Sequence, residues 1–174
     1  NGLPYDYFVD PTTGFARVAA LDAASGAVKW TAVAPGPMRA APTVADGRVF
    51  AVTLDNRMVA FSAADGALAW THTGIVETAG VLGGASPAVL RDAVIAPYSS
   101  GEVFALRAQN GRPMWSDTLT TVRRVNAVSA LADIRARPVI DGERVYAVSH
   151  SGRMASIDLR TGARFWDTEL AGTE

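Results

Sequence analysis

The chain contains four tryptophans, and each of them closes the same six-residue pattern. The four hexapeptides are "SGAVKW" at 25–30, "DGALAW" at 65–70, "NGRPMW" at 110–115 and "TGARFW" at 161–166. A glycine stands four positions before each tryptophan: Gly26, Gly66, Gly111 and Gly162. Use of every tryptophan in one local pattern indicates an internal repeat, which constrains the architecture more strongly than composition does.

The repeat extends upstream of the tryptophans in a fixed register. Three prolines, each 28 residues before a tryptophan, are Pro42, Pro87 and Pro138. Each begins an apolar run, a polar turn and a second apolar run, as in "PTVADGRVFAV" at 42–52. This pattern is typical of strand–turn–strand structure. Tight turns with left-handed backbone are expected at Asp46-Gly47, Asn56, Gly101, Asp141-Gly142 and Gly152.

The pattern of each complete unit therefore predicts four short antiparallel strands. Four strands in 40–50 residues, repeated along a chain, are typical of a β-propeller blade, whereas a helical repeat would show a period of about 3.6 residues. We predict an all-β fold with one partial propeller. Its units are expected at 1–36 (a blade without its first strand), 37–78, 79–121 and 122–174, the last including the start of the next linker.

The tryptophans are expected to join the blades. An indole can wedge between two sheets, stack on a glycine peptide and donate its N–H to a backbone acceptor. We expect all four rings to be buried against a neighbouring blade: Trp30, Trp70, Trp115 and Trp166. A small residue six positions before each glycine leaves room for the ring: Ala20, Ala60, Ala105 and Ser156. The alternative is that a tryptophan lines a substrate pocket.

Composition excludes several classes of function. The net charge of −1 gives no electrostatic support for binding to nucleic acid or to an anionic membrane surface. The chain has no cysteine, which excludes disulfides, thiolate metal sites and cysteine nucleophiles. No run of about 18 apolar residues is present, so the sequence predicts no membrane-spanning helix.

The repeat resembles the tryptophan-docking repeat of the pyrroloquinoline-quinone-type propellers. Within that group, three stretches are similar to the BamB family of outer-membrane assembly lipoproteins: "VLGGASPAV" at 81–89, residues 129–166 and "APTVADGRVFAV" at 41–52. The resemblance implies an eight-bladed, non-enzymatic scaffold of the β-barrel assembly machinery. Its expected location is the periplasmic face of the outer membrane in a Gram-negative bacterium.

The four units would make about half of such an eight-bladed ring. The resemblance also implies a lipidated cysteine at the mature start, and the chain has none. We therefore expect a fragment whose link to the membrane is a lipid anchor outside this chain. The implied partners are the periplasmic POTRA domains of BamA and unfolded outer-membrane proteins, with no nucleic acid.

The connections between blades are the expected binding sites, because long loops on a rigid scaffold commonly carry binding residues. The resemblance places the BamA-contacting positions in the second connection, between Trp70 and Pro87, and in the third connection, between Trp115 and Pro138. Val81 matches an apolar position, and Leu82 stands where the family has a basic residue. Asp133 matches the first of two acidic positions, and Arg135 replaces the second. Alternatively, Val81 and Leu82 pack under their own loop, and Asp133 caps a turn or pairs with a neighbouring arginine.

The third connection also carries apolar residues at three-residue spacing, which predicts a short helix: Val125, Val128, Leu131 and Ile134.

A quinoprotein dehydrogenase is the enzymatic alternative, because its fold shares the repeat. That chemistry needs a quinone and a metal held by carboxylate or amide groups at the centre of the propeller. Asp46, Asp92 and Asp141 instead occupy the predicted hairpin turns, so we expect no catalytic, cofactor-binding or metal-binding residues. His72 and His150 lack a second ligand at metal-binding spacing. A third possibility is a periplasmic ligand-binding propeller with a deep central pocket.

Overall fold

Short apolar runs separated by turns form β-strands throughout the computed structural model, which describes residues 5–9, 16–38, 40–75, 84–119 and 134–170. Within these ranges the chain contains no helix. The strands form one three-stranded and three four-stranded sheets, and strands that are consecutive along the chain are neighbours in each sheet. The predicted all-β fold with propeller blades is therefore confirmed.

Each sheet is one blade, numbered in chain order. The first blade contains β1 (Tyr5–Val9), β2 (Ala16–Leu21) and β3 (Val28–Val33). The second contains β4 (Thr43–Ala45), β5 (Arg48–Val52), β6 (Arg57–Ser62) and β7 (Leu68–Thr73). The third contains β8 (Ala88–Leu90), β9 (Ala93–Pro97), β10 (Glu102–Arg107) and β11 (Pro113–Thr118). The fourth contains β12 (Val139–Asp141), β13 (Arg144–Val148), β14 (Arg153–Asp158) and β15 (Arg164–Glu169).

The turns between strands use left-handed backbone where the sequence predicts it. Asn56, Gly101 and Gly152 have φ values of 57°, 82° and 84°. At Asp46-Gly47 both residues have positive φ. The prediction for Asp141 is wrong, because Asp141 is the last residue of β12 and the turn is formed by Gly142 and Glu143. The turn lies at the same distance from the proline in both blades, but the Asp-Gly pair of the fourth blade is one residue closer to its proline than that of the second blade.

The hydrophobic core lies between blades, in three clusters. Each cluster combines one face of a blade with the facing surface of the next, as Val18 and Phe61 do between the first and second blades. Phe50 and Leu106 belong to the cluster between the second and third blades. Ile95 and Ile157 belong to the cluster between the third and fourth. A blade therefore buries its apolar faces only against its neighbours, as expected for a repeat architecture.

The tryptophans join these blades by one repeated geometry. The indole N–H of each of the first three tryptophans donates to a carbonyl of the next blade, three residues before that blade's glycine. The three bonds are Trp30 to Ala63 (3.0 Å), Trp70 to Ala108 (2.9 Å) and Trp115 to Leu159 (2.8 Å). The same polar contact thus sets the position of each blade relative to its neighbour.

The glycine of the next blade lies under the indole. A Cβ atom on Gly66, Gly111 or Gly162 would stand 2.6, 2.5 or 2.7 Å from an atom of the tryptophan above it. All three glycines also have φ values near +70°, which side chains rarely adopt. Glycine is therefore required both for the turn and for the close approach of the ring.

A small residue lies opposite each tryptophan on the neighbouring strand. The paired positions are Ala20–Trp30, Ala60–Trp70, Ala105–Trp115 and Ser156–Trp166. All four small residues are fully buried. The register shifts directly after each of them, which indicates a β-bulge in every blade at the docking position.

Burial of the tryptophans differs along the array. Trp70 and Trp115 are buried and Trp30 is half-buried, but the side of Trp166 that would face a further blade is open. The prediction that all four rings are buried is wrong for Trp166, which is 40% exposed. The physical reason is that no described blade follows the fourth one. At the other end, no atom lies within 4 Å of a Cβ built on Gly26.

Candidate functional site

The turn between β9 and β10, residues 98–101, and Glu102 directly after it anchor both long connections between blades. The second connection begins at Ile75, whose N–H donates to Glu102 Oε2 at 2.9 Å. The third connection begins at Leu119, whose N–H donates to the Gly101 carbonyl at 2.8 Å. It returns at Ile134, whose N–H donates to the Tyr98 carbonyl at 3.4 Å. Segments far apart in sequence are thus brought to one surface.

We call this surface the connection face and define it as residues 74–75, 98–101, 119 and 134–137. The Ile75 side chain is 60% exposed there, and Arg135 is also exposed. Ile134 points inward instead and is 2% exposed within the core between the third and fourth blades. The exposed residues of the face are therefore held by buried neighbours in the same short segments.

Asn56 links the connection face to the second blade. Its side chain is almost fully buried, and its Oδ1 accepts hydrogen bonds from the N–H and the hydroxyl of Ser99, both at 2.9 Å. Its Nδ2 donates to the Ile75 carbonyl at 2.7 Å. Asparagine tolerates the positive φ of this position and also spans two blades with its amide. Asn56 thus holds both the turn of the third blade, through Ser99, and the start of the second connection, at Ile75.

His72 and Tyr98 form a second polar contact between these blades. The Tyr98 hydroxyl lies 2.8 Å from His72 Nδ1, and the two rings are nearly parallel. Burial lowers the pKa of His72, and the negative charge of Glu102 opposes this shift in part. Burial raises the pKa of Tyr98. Both groups therefore favour their neutral forms, which can share one hydrogen bond. Because Tyr98 is fully buried and His72 is half-buried, this pair contributes a polar contact within the interface of the two blades.

The third and fourth blades are joined by a different polar contact. Arg164 donates from Nε and from one terminal nitrogen to the two carboxylate oxygens of Asp117, each at 2.7 Å. The same terminal nitrogen also donates to the Thr118 carbonyl at 2.8 Å. The hydrogen bonds with Asp117 raise the pKa of Arg164 further. This bidentate pair supports the outer strands of the two blades.

Of the four residues predicted to bind a partner, Arg135 lies on the connection face. Val81, Leu82 and Asp133 lie outside the described residues. Ile134 and Arg135 are not helical. The remainder of the predicted helix, with Val125, Val128 and Leu131, also lies outside the described residues. The polar contacts of Asn56, His72 and Tyr98 were not predicted, although the positive-φ signal at Asn56 marked the turn that carries one of them.

The aspartates considered for quinone or metal chemistry lie at the opposite edge of the blades. Asp46 and Asp92 are in turns before the second strand of their blades, and Asp92 pairs with Arg107 at 2.6 Å. These turns line a cavity of about 310 Å³ together with Arg48 and Arg91. In the part of the chain that the structure describes, no three His, Cys, Asp or Glu side chains are grouped as metal ligands, and no helix could cross a membrane.

Comparison with known proteins gives one consistent family. The family model described as "Outer membrane protein assembly factor BamB" matches residues 7–174. The protein of that name from Yersinia pestis is 32% identical over 155 residues, which are 89% of this chain and 39% of the relative. The one from Moranella endobia is 28% identical over 155 residues, covering 89% and 40% of the two chains. The chain thus spans about 40% of the length of these curated relatives.

Solved structures show the same relationship. The crystal structure of BamB from Moraxella catarrhalis matches with a TM-score of 0.81 at 25% identity, over 95% of this chain and 52% of that one. A europium-containing methanol dehydrogenase matches with a TM-score of 0.74 at 16% identity, over 95% and 39% of the two chains. At that identity, the second match shows the fold alone.

Proposed function

Since the chain belongs to the BamB family of outer membrane protein assembly factors, we propose that it acts as part of a scaffold for outer-membrane β-barrel assembly. In this proposal it lies on the periplasmic side of the outer membrane of a Gram-negative bacterium. It has no enzymatic activity and binds the periplasmic domains of BamA, with unfolded outer-membrane proteins as a second class of partner. The names of its relatives support the assembly role.

The observation that carries the proposed binding surface is the common anchoring of two connections at residues 98–102. The Ile75 N–H donates to the Glu102 carboxylate and the Ile134 N–H donates to the Tyr98 carbonyl, although 59 positions separate the two isoleucines in sequence. Connections held to one turn present their side chains together. An extended surface of this kind suits another protein domain better than it suits a small molecule, which needs a concave pocket.

The residue types in the two connections suggest which contacts contribute most to the affinity for BamA. Val81 and Leu82 are proposed to supply apolar burial, with Asp133 and Arg135 as charged residues at the edge. A buried leucine contributes about 1.5–3 kcal/mol, whereas a charge at the rim of an interface typically contributes less than about 1 kcal/mol. We therefore expect Leu82 to matter most for affinity and the two charges to adjust orientation and association rate.

The experiment is calorimetry with the full-length protein and the cognate BamA periplasmic domains. Leu82→Asp should weaken binding by about tenfold or more, because it removes the apolar contact and buries a charge. Leu68→Asp is the matched control, since Leu68 is an exposed leucine on β7 outside the connection face. Arg135→Ala should have a smaller effect, and Arg160→Ala, in an exposed turn after β14, should have none.

Unchanged affinity in both Leu82→Asp and Asp133→Ala would contradict the proposed surface. An equal loss in Leu82→Asp and Leu68→Asp would also contradict it, because a general effect on folding would then explain both results. Circular dichroism of each variant separates loss of binding from loss of structure.

A further inference from the structure

Ile75, where the second connection begins, is held at both of its backbone polar groups. Its N–H donates to Glu102 Oε2 of the third blade at 2.9 Å, and its carbonyl accepts from Asn56 Nδ2 of the second blade at 2.7 Å. Directly before it, the Gly74 N–H donates to the Asn56 carbonyl at 2.8 Å. Contacts from two blades thus fix the backbone at the point where it leaves β7.

Glu102 is an unusual residue for its place in the repeat. The residue three positions before the small residue opposite each tryptophan is arginine in the other three blades: Arg17, Arg57 and Arg153. An arginine side chain has no hydrogen-bond acceptor, so it cannot accept from a backbone N–H. Of the four blades that the structure describes, only the third therefore has a carboxylate at this position to hold the start of a connection.

The Glu102 carboxylate is itself oriented by its own turn. Its Oε2 accepts from the Ser100 hydroxyl at 2.8 Å as well as from the Ile75 N–H, and the residue is half-buried. Hydrogen bonds to an ionised acceptor are stronger than those between neutral groups. One carboxylate oxygen thus joins the turn of the third blade to the start of the second connection.

Gly74 allows this close approach. A Cβ atom on Gly74 would stand 2.6 Å from Cδ2 of Tyr98 and 3.2 Å from Glu102 Oε2. The Tyr98 ring is fully buried, so it has no free space into which it could move. The residues four positions after the first and third tryptophans, Ala34 and Leu119, instead carry buried side chains. Glycine is therefore required where Tyr98 and Glu102 fill that space.

From these contacts we infer that Glu102 is a positioning residue for partner binding by the second connection, and that Gly74 is required for its contact with Ile75. The inference rests on the proposed function, because the partner is taken to be the periplasmic domains of BamA. Glu102 acts on its own chain: it holds Ile75, whose side chain is 60% exposed on the connection face. A connection that is held before binding loses less conformational entropy when the partner binds.

Calorimetry with the full-length protein and the BamA periplasmic domains tests this role. Glu102→Ala should weaken binding about tenfold, with the loss mainly in the entropy of binding, because the connection must then be ordered by the partner. Glu102→Gln should bind within about twofold of the unaltered protein, since its amide oxygen can still accept from Ile75 and Ser100. Arg57→Ala is the matched control at the corresponding position of the second blade. It removes an ion pair with Asp55 and should leave the affinity unchanged.

A pair of glycine variants gives a second test. Gly74→Ala should also weaken binding, because the added methyl group displaces the backbone from Glu102. Gly36→Ala is the control: its Cβ would stand 2.8 Å from Asp55 Oδ1, but Gly36 belongs to the first connection, between Trp30 and Pro42. The affinity of Gly36→Ala should match that of the unaltered protein.

NMR relaxation reports on Ile75 without the partner. The order parameter of the Ile75 N–H should be about 0.85 in the unaltered protein and in Glu102→Gln, and should fall below about 0.6 in Glu102→Ala. An unchanged order parameter or an unchanged affinity in Glu102→Ala would overturn the inference.

Three other results separate the inference from its alternatives. Equal losses of affinity in Glu102→Ala and Glu102→Gln would overturn it, because the charge and not the hydrogen bond would then act on the partner. Equal losses in Gly74→Ala and Gly36→Ala would overturn it as a general effect on the fold. Absence of BamA binding by the unaltered protein would contradict the proposed function itself, and the order parameter, measured without BamA, distinguishes that failure from a failure of Glu102 to hold Ile75.

Discussion

The interface between the second and third blades and the interface between the third and fourth share one docking contact but differ in the polar side-chain contacts described around it. Both place an indole on a glycine and direct its N–H to a carbonyl of the next blade. Around this contact, the first interface uses Asn56, His72 and Tyr98, and the second uses Arg164 with Asp117. The shared tryptophan contact joins one blade to the next, and the polar contacts that differ hold the connections between blades.

The largest expected effect is the loss of the shared contact. Trp70→Ala and Trp115→Ala should each lower the free energy of unfolding by about 3–5 kcal/mol, because each removes a buried ring and its hydrogen bond. Trp166→Ala should cost less than either of these, since that ring is 40% exposed and docks on no further blade among the described residues. Urea denaturation checks all three variants. Equal losses in all three would mean that docking does not account for the stability.

The second effect separates the two interfaces. Asn56→Ala should cost about 2–3 kcal/mol, because it leaves the Ser99 N–H and the Ile75 carbonyl without their partner and puts alanine at positive φ. Asn56→Gly relieves the backbone and should recover about 1 kcal/mol of that loss. The control is Asn110→Ala, an exposed turn residue that bonds to Arg112 in its own blade. Hydrogen exchange at Ile75 should rise in the Asn56 variants alone.

A smaller effect is expected at the interface of the third and fourth blades. Asp117→Asn should cost about 1 kcal/mol in dilute buffer and less in high salt, because the pair with Arg164 is partly exposed and therefore screened. Asp92→Asn removes the more exposed pair with Arg107, which lies within one blade, and should cost less. Thermal unfolding at two salt concentrations measures both. A salt-independent loss in Asp117→Asn would point to a packing role for this carboxylate.

The smallest effect is a pH dependence from His72. Burial lowers the pKa of His72 in the folded chain below the ordinary value of about 6.5. The unfolded chain then binds more protons than the folded one as pH falls below about 6.5, so the free energy of unfolding should decrease there. His72→Gln should flatten this decrease between pH 7 and 5. A titration of the His72 ring protons by NMR with a midpoint above 6.5 would contradict the expected direction.

Much of the fold was predictable because the repeat is local. The spacing from each proline to its tryptophan marks the strands, and the glycine four residues before the tryptophan marks the docking turn. The exposure of Trp166 was not predictable from its own hexapeptide, because burial depends on the blade that follows. The turn at Asp141 was misplaced because the Asp-Gly pair lies one residue closer to the proline than in the second blade.

Less of the candidate site was predictable. The connections could be located by their lengths, but the contact of His72 with Tyr98 joins positions 26 residues apart in different blades. Histidine and tyrosine are also common outside such pairs, so their presence in the sequence did not indicate this contact. Asn56 was predicted to supply a positive φ, but its amide contacts with Ser99 and Ile75 depend on how two blades are placed.

The anchoring of the connections at residues 98–102 has a consequence for how such a protein diversifies. The N–H groups of Ile75, Leu119 and Ile134 fix where the chain leaves and re-enters the blades, the first by donating to the Glu102 carboxylate and the other two by donating to backbone carbonyls. Insertions or deletions between those points leave the structure of the blades unchanged, because lengthening a surface loop costs little free energy. Gene variants with altered connections can therefore acquire new binding specificity while keeping the same ring. For the same reason, an epitope or a fluorescent reporter inserted after Ile75 should be accommodated by the folded blades.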